Sequence, residues 1–161
     1  MRSLAPLLIG TALLSGCGGA VASDSSGPAP ESARASGTHR PAQGPPDAYL
    51  TLNGERKRMA RGSYCWTTVL DDGTGVGQCG DSAGWDMIKD IPQLSGTTGD
   101  DATLELGFDP TRPVEVSVGH HRLKLQPGRT LEFRLPATGT VEVFAYAEGG
   151  DASYGLRVAA G

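Results

Sequence analysis

Seven aspartates form the densest group of possible metal-binding side chains in this chain of 161 residues. They lie between Thr67 and Asp101, where Lys89 is the single basic residue. The set is Asp71, Asp72, Asp81, Asp86, Asp90, Asp100 and Asp101. Calcium takes about 6–8 oxygen ligands from a compact loop, but the EF-hand spacing and an Asp-x-Asp-x-Asp run are both missing. We therefore expect a solvated acidic loop and not a calcium site.

His120 and His121 are the second candidate for metal chemistry, because imidazole is a common ligand of zinc and copper. Adjacent residues of a strand face opposite sides, so these two could bind one ion only from a turn. A zinc site needs roughly three or four protein ligands, and the third histidine, His39, precedes the expected domain. We expect the pair at the end of a hairpin, with no bound metal and no cofactor.

Catalytic motifs are missing from the sequence. It contains no G-x-S-x-G nucleophile elbow, no H-E-x-x-H and no phosphate-binding P-loop. Its serines have no paired histidine and acid at a recognisable spacing. We therefore expect a protein that is not an enzyme.

Leu14-Ser15-Gly16-Cys17 closes a short apolar N-terminal run that follows Arg2. This pattern is typical of a secretory signal peptide, and its last four residues resemble the bacterial lipobox. The resemblance implies that residues 1–16 are removed and that the sulfur of Cys17 carries a diacylglycerol. The expected location is the extracytoplasmic side of the cell membrane, with the lipid as the membrane partner. An ordinary cleaved signal with an incidental cysteine is the alternative.

Residues 17–46 are expected to be a disordered tether, and residues 47–161 a single domain. The tether holds almost no large apolar side chains, so it cannot bury enough surface to offset its ordering entropy. From residue 47 onward there are 11 basic and 16 acidic residues, a net charge of −5. An acidic, exported domain disfavours nucleic acid as a partner.

Cys65 and Cys79 remain once the lipobox resemblance assigns Cys17 to the lipid. An even pair in an exported protein predicts a disulfide. The segment Ser63-Tyr64-Cys65-Trp66 followed by Cys79-Gly80-Asp81 resembles a motif of uncharacterised bacterial lipoproteins and exported proteins, which implies no known activity. Trp66 packed on a core disulfide is one interpretation, although strand alternation would require a bend or bulge. An aromatic binding surface is the other.

Apolar and polar residues alternate in short runs, at 104–108, 114–118, 123–125, 131–135 and 154–158, which predicts half-buried strands. Asn53-Gly54 predicts a type I′ hairpin turn, and Pro127-Gly128, between two of these runs, suits the type II turn of a hairpin. Val141–Ala147 is apolar on both faces apart from Glu142, which predicts a central strand. We expect an all-β fold, a small immunoglobulin-like antiparallel sandwich of about seven strands with one disulfide. The segment from Thr67 to Asp101 breaks this pattern and is expected to be a long loop.

A basic cluster precedes the cysteine motif. It consists of Arg56, Lys57, Arg58 and Arg61, with Met59 as its expected buried member. A charged edge strand that discourages aggregation is one interpretation. Contact with an anionic lipid or wall polymer is the other, and it would be sensitive to salt.

The function expected from these features is a non-catalytic binding module that is anchored to the membrane. Its partner would be an unidentified envelope or extracellular macromolecule, and the oligomeric state is left open. The expected contact surface is the segment from Thr67 to Asp101 with the preceding aromatic residues; the candidates are Tyr64, Trp66, Asp71, Asp72, Asp81, Trp85 and Asp86. Two alternatives are a regulator of an exported enzyme that inserts the segment 65–79, and an accessory factor for envelope metal or redox chemistry that uses the cysteine pair.

Overall fold

Eleven strands form two facing sheets in the structure, a computed structural model that describes residues 44–161. These residues fall within one compact unit, His39–Gly161. The strands are β1 (Ala48–Leu52), β2 (Glu55–Arg58), β3 (Ala60–Val69), β4 (Gly75–Gly80), β5 (Gln93–Gly96), β6 (Asp101–Leu106), β7 (Val114–Val118), β8 (His121–Leu125), β9 (Thr130–Arg134), β10 (Gly139–Ala147) and β11 (Gly150–Ala160). The predictions for residues 1–16, Cys17 and residues 18–43 lie outside the described residues.

The small sheet has four strands in the order β2-β1-β6-β9, all antiparallel. Leu50 lies opposite Leu104, which in turn lies opposite Leu131, so one leucine row crosses three strands. All three are buried, and the polar residues between them face outward. Alternation in the sequence therefore sets which face of this sheet is apolar.

The large sheet has the order β4-β3-β11-β10-β7-β8, and β5 runs parallel to the second half of β11. All other pairs in this sheet are antiparallel. β10 lies between β11 and β7, which confirms the predicted central strand. Its register with β11 runs from Gly139 opposite Val158 to Ala147 opposite Gly150.

The core is a single apolar cluster between the two sheets. Leu50 and Leu104 of the small sheet and Val116, Val143 and Leu156 of the large sheet all belong to this cluster, and each of the five is at most 1% exposed. Each such side chain contributes about 1.5–3 kcal/mol relative to its exposed state. No charged or polar residue of the described chain is buried in this core.

The predicted all-β sandwich with one disulfide is confirmed, but it has eleven strands instead of about seven. The expected long loop from Thr67 to Asp101 contains the end of β3 and all of β4 and β5. β4 reads Gly-Val-Gly-Gln-Cys-Gly, so it lacks an apolar alternation and is held by its backbone ladder with β3. Residues 81–92 are the longest irregular stretch that remains in this segment, beside the shorter turns at 70–74 and 97–100.

One predicted turn is correct and another is wrong. Asn53 and Gly54 both have positive φ, 52° and 81°, and they join β1 to β2 as a type I′ turn requires. Pro127-Gly128 does not form a hairpin, because β8 belongs to the large sheet and β9 to the small one. Gly128 accordingly does not adopt the positive φ of a type II turn. The chain crosses between sheets there.

Candidate binding surface on the large sheet

Strand β3 divides the predicted surface between its two faces. Tyr64 and Trp66 point inward and pack against the core cluster. The Trp66 ring lies 5.1 Å from the ring of Phe108, with the planes inclined by 57°. These two side chains therefore close the margin of the core and do not form an open aromatic surface.

The predicted disulfide is present between Cys65 and Cys79, which lie directly opposite each other on β3 and β4 with Cα atoms 4.1 Å apart. Both residues are exposed on the outer face of the large sheet. β3 has a bulge at which Gly62 and Ser63 together lie opposite Ser153 of β11. The bulge precedes Tyr64, so it does not turn Trp66 toward the disulfide. The interpretation in which Trp66 packs on a core disulfide is therefore wrong.

The predicted acidic residues lie mostly in turns. Asp71 and Asp72 are exposed between β3 and β4, and Asp72 Oδ1 accepts a hydrogen bond of 2.8 Å from the backbone N–H of Thr74. That bond lowers the pKa of Asp72. Asp81 and Asp86 are exposed in the segment 81–92. Among residues 44–161 the aspartates, glutamates, histidines and cysteines form no group of three that could hold a metal ion.

Trp85 lies flat on the outer face of the large sheet, across β3 and β11. A methyl carbon added at Gly62 would lie 2.7 Å from Cη2 of its indole, and one added at Gly155 would overlap the other end of the ring. Both glycines are buried. Glycine at these two positions is what lets the indole contact the backbone of the sheet. Trp85 is the one predicted aromatic residue that faces outward.

Two further aromatic residues extend this surface along β10. Phe144 and Tyr146 point outward, on the face opposite Val143 and Ala145, and are partly exposed. Their rings meet edge to face at 4.9 Å and 90°, and the Arg112 guanidinium lies 4.6 Å from the centre of the Tyr146 ring. We call Trp85, Phe144 and Tyr146 the outer aromatic row.

Phe144 and Tyr146 are absent from the predicted binding surface, although the sequence contains a signal for them. Val141–Ala147 is apolar on both faces, which favours burial on both sides. The structure instead covers only one face of β10 with the other sheet. A doubly apolar strand in a two-layer sandwich therefore marks apolar surface on the outside as well as in the core.

An outer-face cleft of about 150 Å³ opens beside Trp85. Its polar and aromatic lining consists of Trp85, Glu115, Ser117, Glu142, Phe144 and Ser153. Ser153 donates its hydroxyl proton to the carbonyl of Ser63 at 3.0 Å. Glu115 pairs with Lys124 at 3.4 Å, whereas Glu142 has no ion-pair partner within residues 44–161.

Two wider grooves have walls that carry both acidic and basic residues. The first, about 470 Å³ along β6 and β9, contains Glu132 and the pair Asp101 and Arg134, which lie 3.3 Å apart. The second, about 400 Å³, contains Asp90 and Asp47, and Asp47 pairs with Arg58 at 3.5 Å and with Arg61 at 3.3 Å. The outer-face cleft differs from both because its lining holds acidic and aromatic side chains and no basic residue.

Three members of the basic cluster, Arg56, Lys57 and Arg58, lie on the edge strand β2, as the charged-edge interpretation expects, whereas Arg61 lies on β3 of the large sheet. Arg56 donates to Glu105 at 2.7 Å and covers the ring of Tyr49 at 3.5 Å. The hydrogen bond to Glu105 raises the pKa of Arg56. Lys57 pairs with Glu55 at 3.2 Å, and Met59 is buried as predicted.

The histidine pair lies where it was predicted, at the end of a hairpin. Gly119 and His120 form the turn between β7 and β8, and His121 begins β8. Gly119 has a φ of 59°, which suits the first central position of a type II′ turn.

Comparison with known proteins adds no relative: no family model matches the chain, and no curated protein or solved structure matches it with significance. A search of the described residues for a helix long and apolar enough to cross a membrane found none.

Proposed function

We propose that this chain is a non-catalytic binding module, held by a lipid on Cys17 at the extracytoplasmic face of a bacterial membrane. Its recognition surface is the outer aromatic row with the adjoining outer-face cleft. The lipobox resemblance supports the location, and the absence of catalytic motifs supports a binding role. The observation that carries the choice of surface is the partly exposed aromatic row on a sheet face that no second sheet covers.

The outer aromatic row has the composition of a contact surface. Large aromatic side chains supply much contact area and lose little conformational freedom when they are bound, so they are enriched where proteins meet. The row stands on β10, the central strand, and on glycines of β3 and β11, so the scaffold beneath it is rigid. A rigid base lowers the entropic cost of binding.

In-cell crosslinking of the full lipidated chain, followed by mass spectrometry, tests this surface. The chain offers a matched pair of tyrosines, one on the outer face of each sheet and each covered by an arginine guanidinium. We expect Tyr146→Ala and Trp85→Ala to lose a dominant crosslinked partner that Tyr49→Ala retains. Equal loss in all three variants, or no partner in the unchanged chain, would overturn the proposal.

A second candidate function is regulation of an exported enzyme through the β3–β4 hairpin. The predicted constrained loop 65–79 is in fact this hairpin, and its distal half extends beyond β11, whose pairing with β3 ends at Trp66. Val69 near its tip is 71% exposed. An exported hydrolase that co-purifies with the chain, and is lost in Val69→Ser, would favour this candidate.

A redox role is favoured only by the position of the disulfide. Exposed disulfides are more easily reduced than buried ones, and both Cys65 and Cys79 are exposed. The redox candidate requires that a mild thiol reduces the bond while the domain stays folded.

A further inference from the structure

We propose that the outer-face cleft binds the ammonium group of a lysine side chain from a partner protein. This inference deepens the proposed function and rests on it, because it names the chemistry that the recognition surface accepts. Three properties of the cleft carry it: its charge, its aromatic walls and its size.

The charge of the cleft favours a cation. Glu115 and Glu142 are its only ionisable lining groups, and no basic residue lines it. Lys124 of the edge strand β8 pairs with Glu115, and within the described chain neither Arg122 nor Arg157 pairs with Glu142. One carboxylate is therefore free to pair with an incoming ammonium, and Ser117 adds a hydroxyl acceptor.

The aromatic walls favour an organic cation over a metal ion. The ring of Trp85 and the ring of Phe144 border the same cleft as Glu142. An aromatic face attracts a cation through its quadrupole, most strongly for tryptophan. The same rings contact the methylene stem that a lysine carries. Metal ions instead need several oxygen, nitrogen or sulfur ligands, and the two carboxylates are the only charged ones in this lining.

The size of the cleft favours lysine over larger groups. Its volume of about 150 Å³ suits one narrow aliphatic stem with a compact ammonium head. Arginine brings a wide planar fork that is best matched by a bidentate carboxylate. Phe144 also continues into Tyr146 along the open sheet face, so residues next to that lysine in a protein partner would find apolar contact.

The test uses the full chain in detergent micelles and follows the indole N–H signal of Trp85 by NMR, assigned with Trp85→Phe. The probes are Nα-acetyl-lysine methylamide and its Nε-acetyl form, which keeps the aliphatic stem and lacks the charge. We expect the charged probe to shift the Trp85 signal and the neutral probe to leave it unchanged. A shift of equal size with both probes, or none with the charged probe, would overturn the proposal.

Two glutamates provide the matched variants. Glu142 on β10 and Glu132 on β9 are both exposed strand residues on the outer face of their sheets. Glu142→Gln should weaken binding of the charged probe about tenfold, the usual order for loss of a charged hydrogen-bond partner. Glu132→Gln should change it less than twofold. Equal binding in both variants would remove Glu142 from the site.

Further arms distinguish a protein lysine from other amines. Ethylammonium chloride and vesicles that contain phosphatidylethanolamine supply the same primary ammonium group without a peptide. Tighter binding of either than of the lysine probe would overturn the assignment to a protein partner. If Tyr146→Ala loses the crosslinked partner while Glu142→Gln retains it, the proposed surface stands and the lysine inference fails. If Glu142→Gln also loses the partner, the proposed surface and the lysine inference both stand.

Discussion

At the scale of single residues, Asp100 connects two turns through one carboxylate. Its oxygens accept hydrogen bonds from the backbone N–H of Thr97 at 2.8 Å, from the Thr97 hydroxyl at 3.0 Å and from the Asn53 amide at 2.8 Å. These bonds, the first above all, hold the pKa of Asp100 below its ordinary value of 3.8. The folded state therefore binds a proton at Asp100 less readily than the unfolded state does.

The sign of the resulting pH dependence follows from this depressed pKa. The stability that Asp100 contributes is fully present above a pH of about 3.8 and is lost as the pH falls through its lower pKa in the folded state. We expect Asp100→Asn to lower the melting temperature near neutral pH, with a difference from the unchanged chain that shrinks in acid. Thermal melts between about pH 7 and pH 2 measure it. Asp71→Asn, at an exposed turn position, is the control, and a difference that grows in acid would contradict the expectation.

The types of residues in the sequence did not predict which contacts individual side chains make. Asp100 belongs to the acidic set that suggested a solvated loop, but it is engaged by the β1–β2 turn, 47 positions earlier in the chain. Trp85 is positioned by Gly62 and Gly155, and such a contact between three distant segments leaves no local pattern. The disulfide was predictable because the prediction needs only the number of cysteines and the expected compartment, and no knowledge of the fold.

At the scale of elements, the β3–β4 hairpin is stabilised largely by the disulfide that joins its two strands. β4 is a glycine-rich edge strand whose side chains add little packing. The bond closes a segment of 15 residues, which in the chain-entropy account contributes about 3 kcal/mol. We expect Cys65→Ser with Cys79→Ser to lower the free energy of unfolding by up to about this amount. Chemical denaturation measures it.

The unchanged chain under strong reductant is the matched control for that double variant. It should unfold at the same denaturant concentration as the variant, because both lack the covalent link. An unfolding midpoint that neither treatment moves would contradict a structural role. Full reduction by a mild thiol, with the rest of the fold intact, would instead favour the redox candidate.

The strands that the sequence predicted are those with a clear pattern of apolar residues. The alternating runs in β6, β7 and β9 were located correctly, and so was the run in β10, which is apolar on both faces. β4 was missed, because glycine and glutamine give no period and only the partner strand defines it. β8 and β9 were found but joined incorrectly, since a short Pro-Gly segment suits either a hairpin or a crossing between sheets.

At the scale of the whole molecule, a domain that binds on one sheet face must be presented so that this face is accessible. The described chain packs onto this domain from close to its first described residue, since Pro45 is buried and the Tyr154 hydroxyl donates to the carbonyl of Pro46 at 2.6 Å. In the proposed arrangement, the predicted tether separates the lipid on Cys17 from this domain. A random coil of about 30 residues spans roughly 30 Å, enough to let the outer aromatic row turn away from the membrane.

This arrangement predicts a separation between anchoring and folding. Cys17→Ala should release the chain from membranes into the soluble fraction, because in the proposed arrangement Cys17 carries the entire lipid attachment. Its melting temperature should stay within about 1 °C of the lipidated chain, since such a distant site has little effect on the fold. The cysteine-free domain variant, Cys65→Ser with Cys79→Ser, is the converse control: it should stay with the membrane and melt earlier. Membrane retention of the Cys17 variant would contradict the lipobox prediction and leave the recognition surface as the source of attachment.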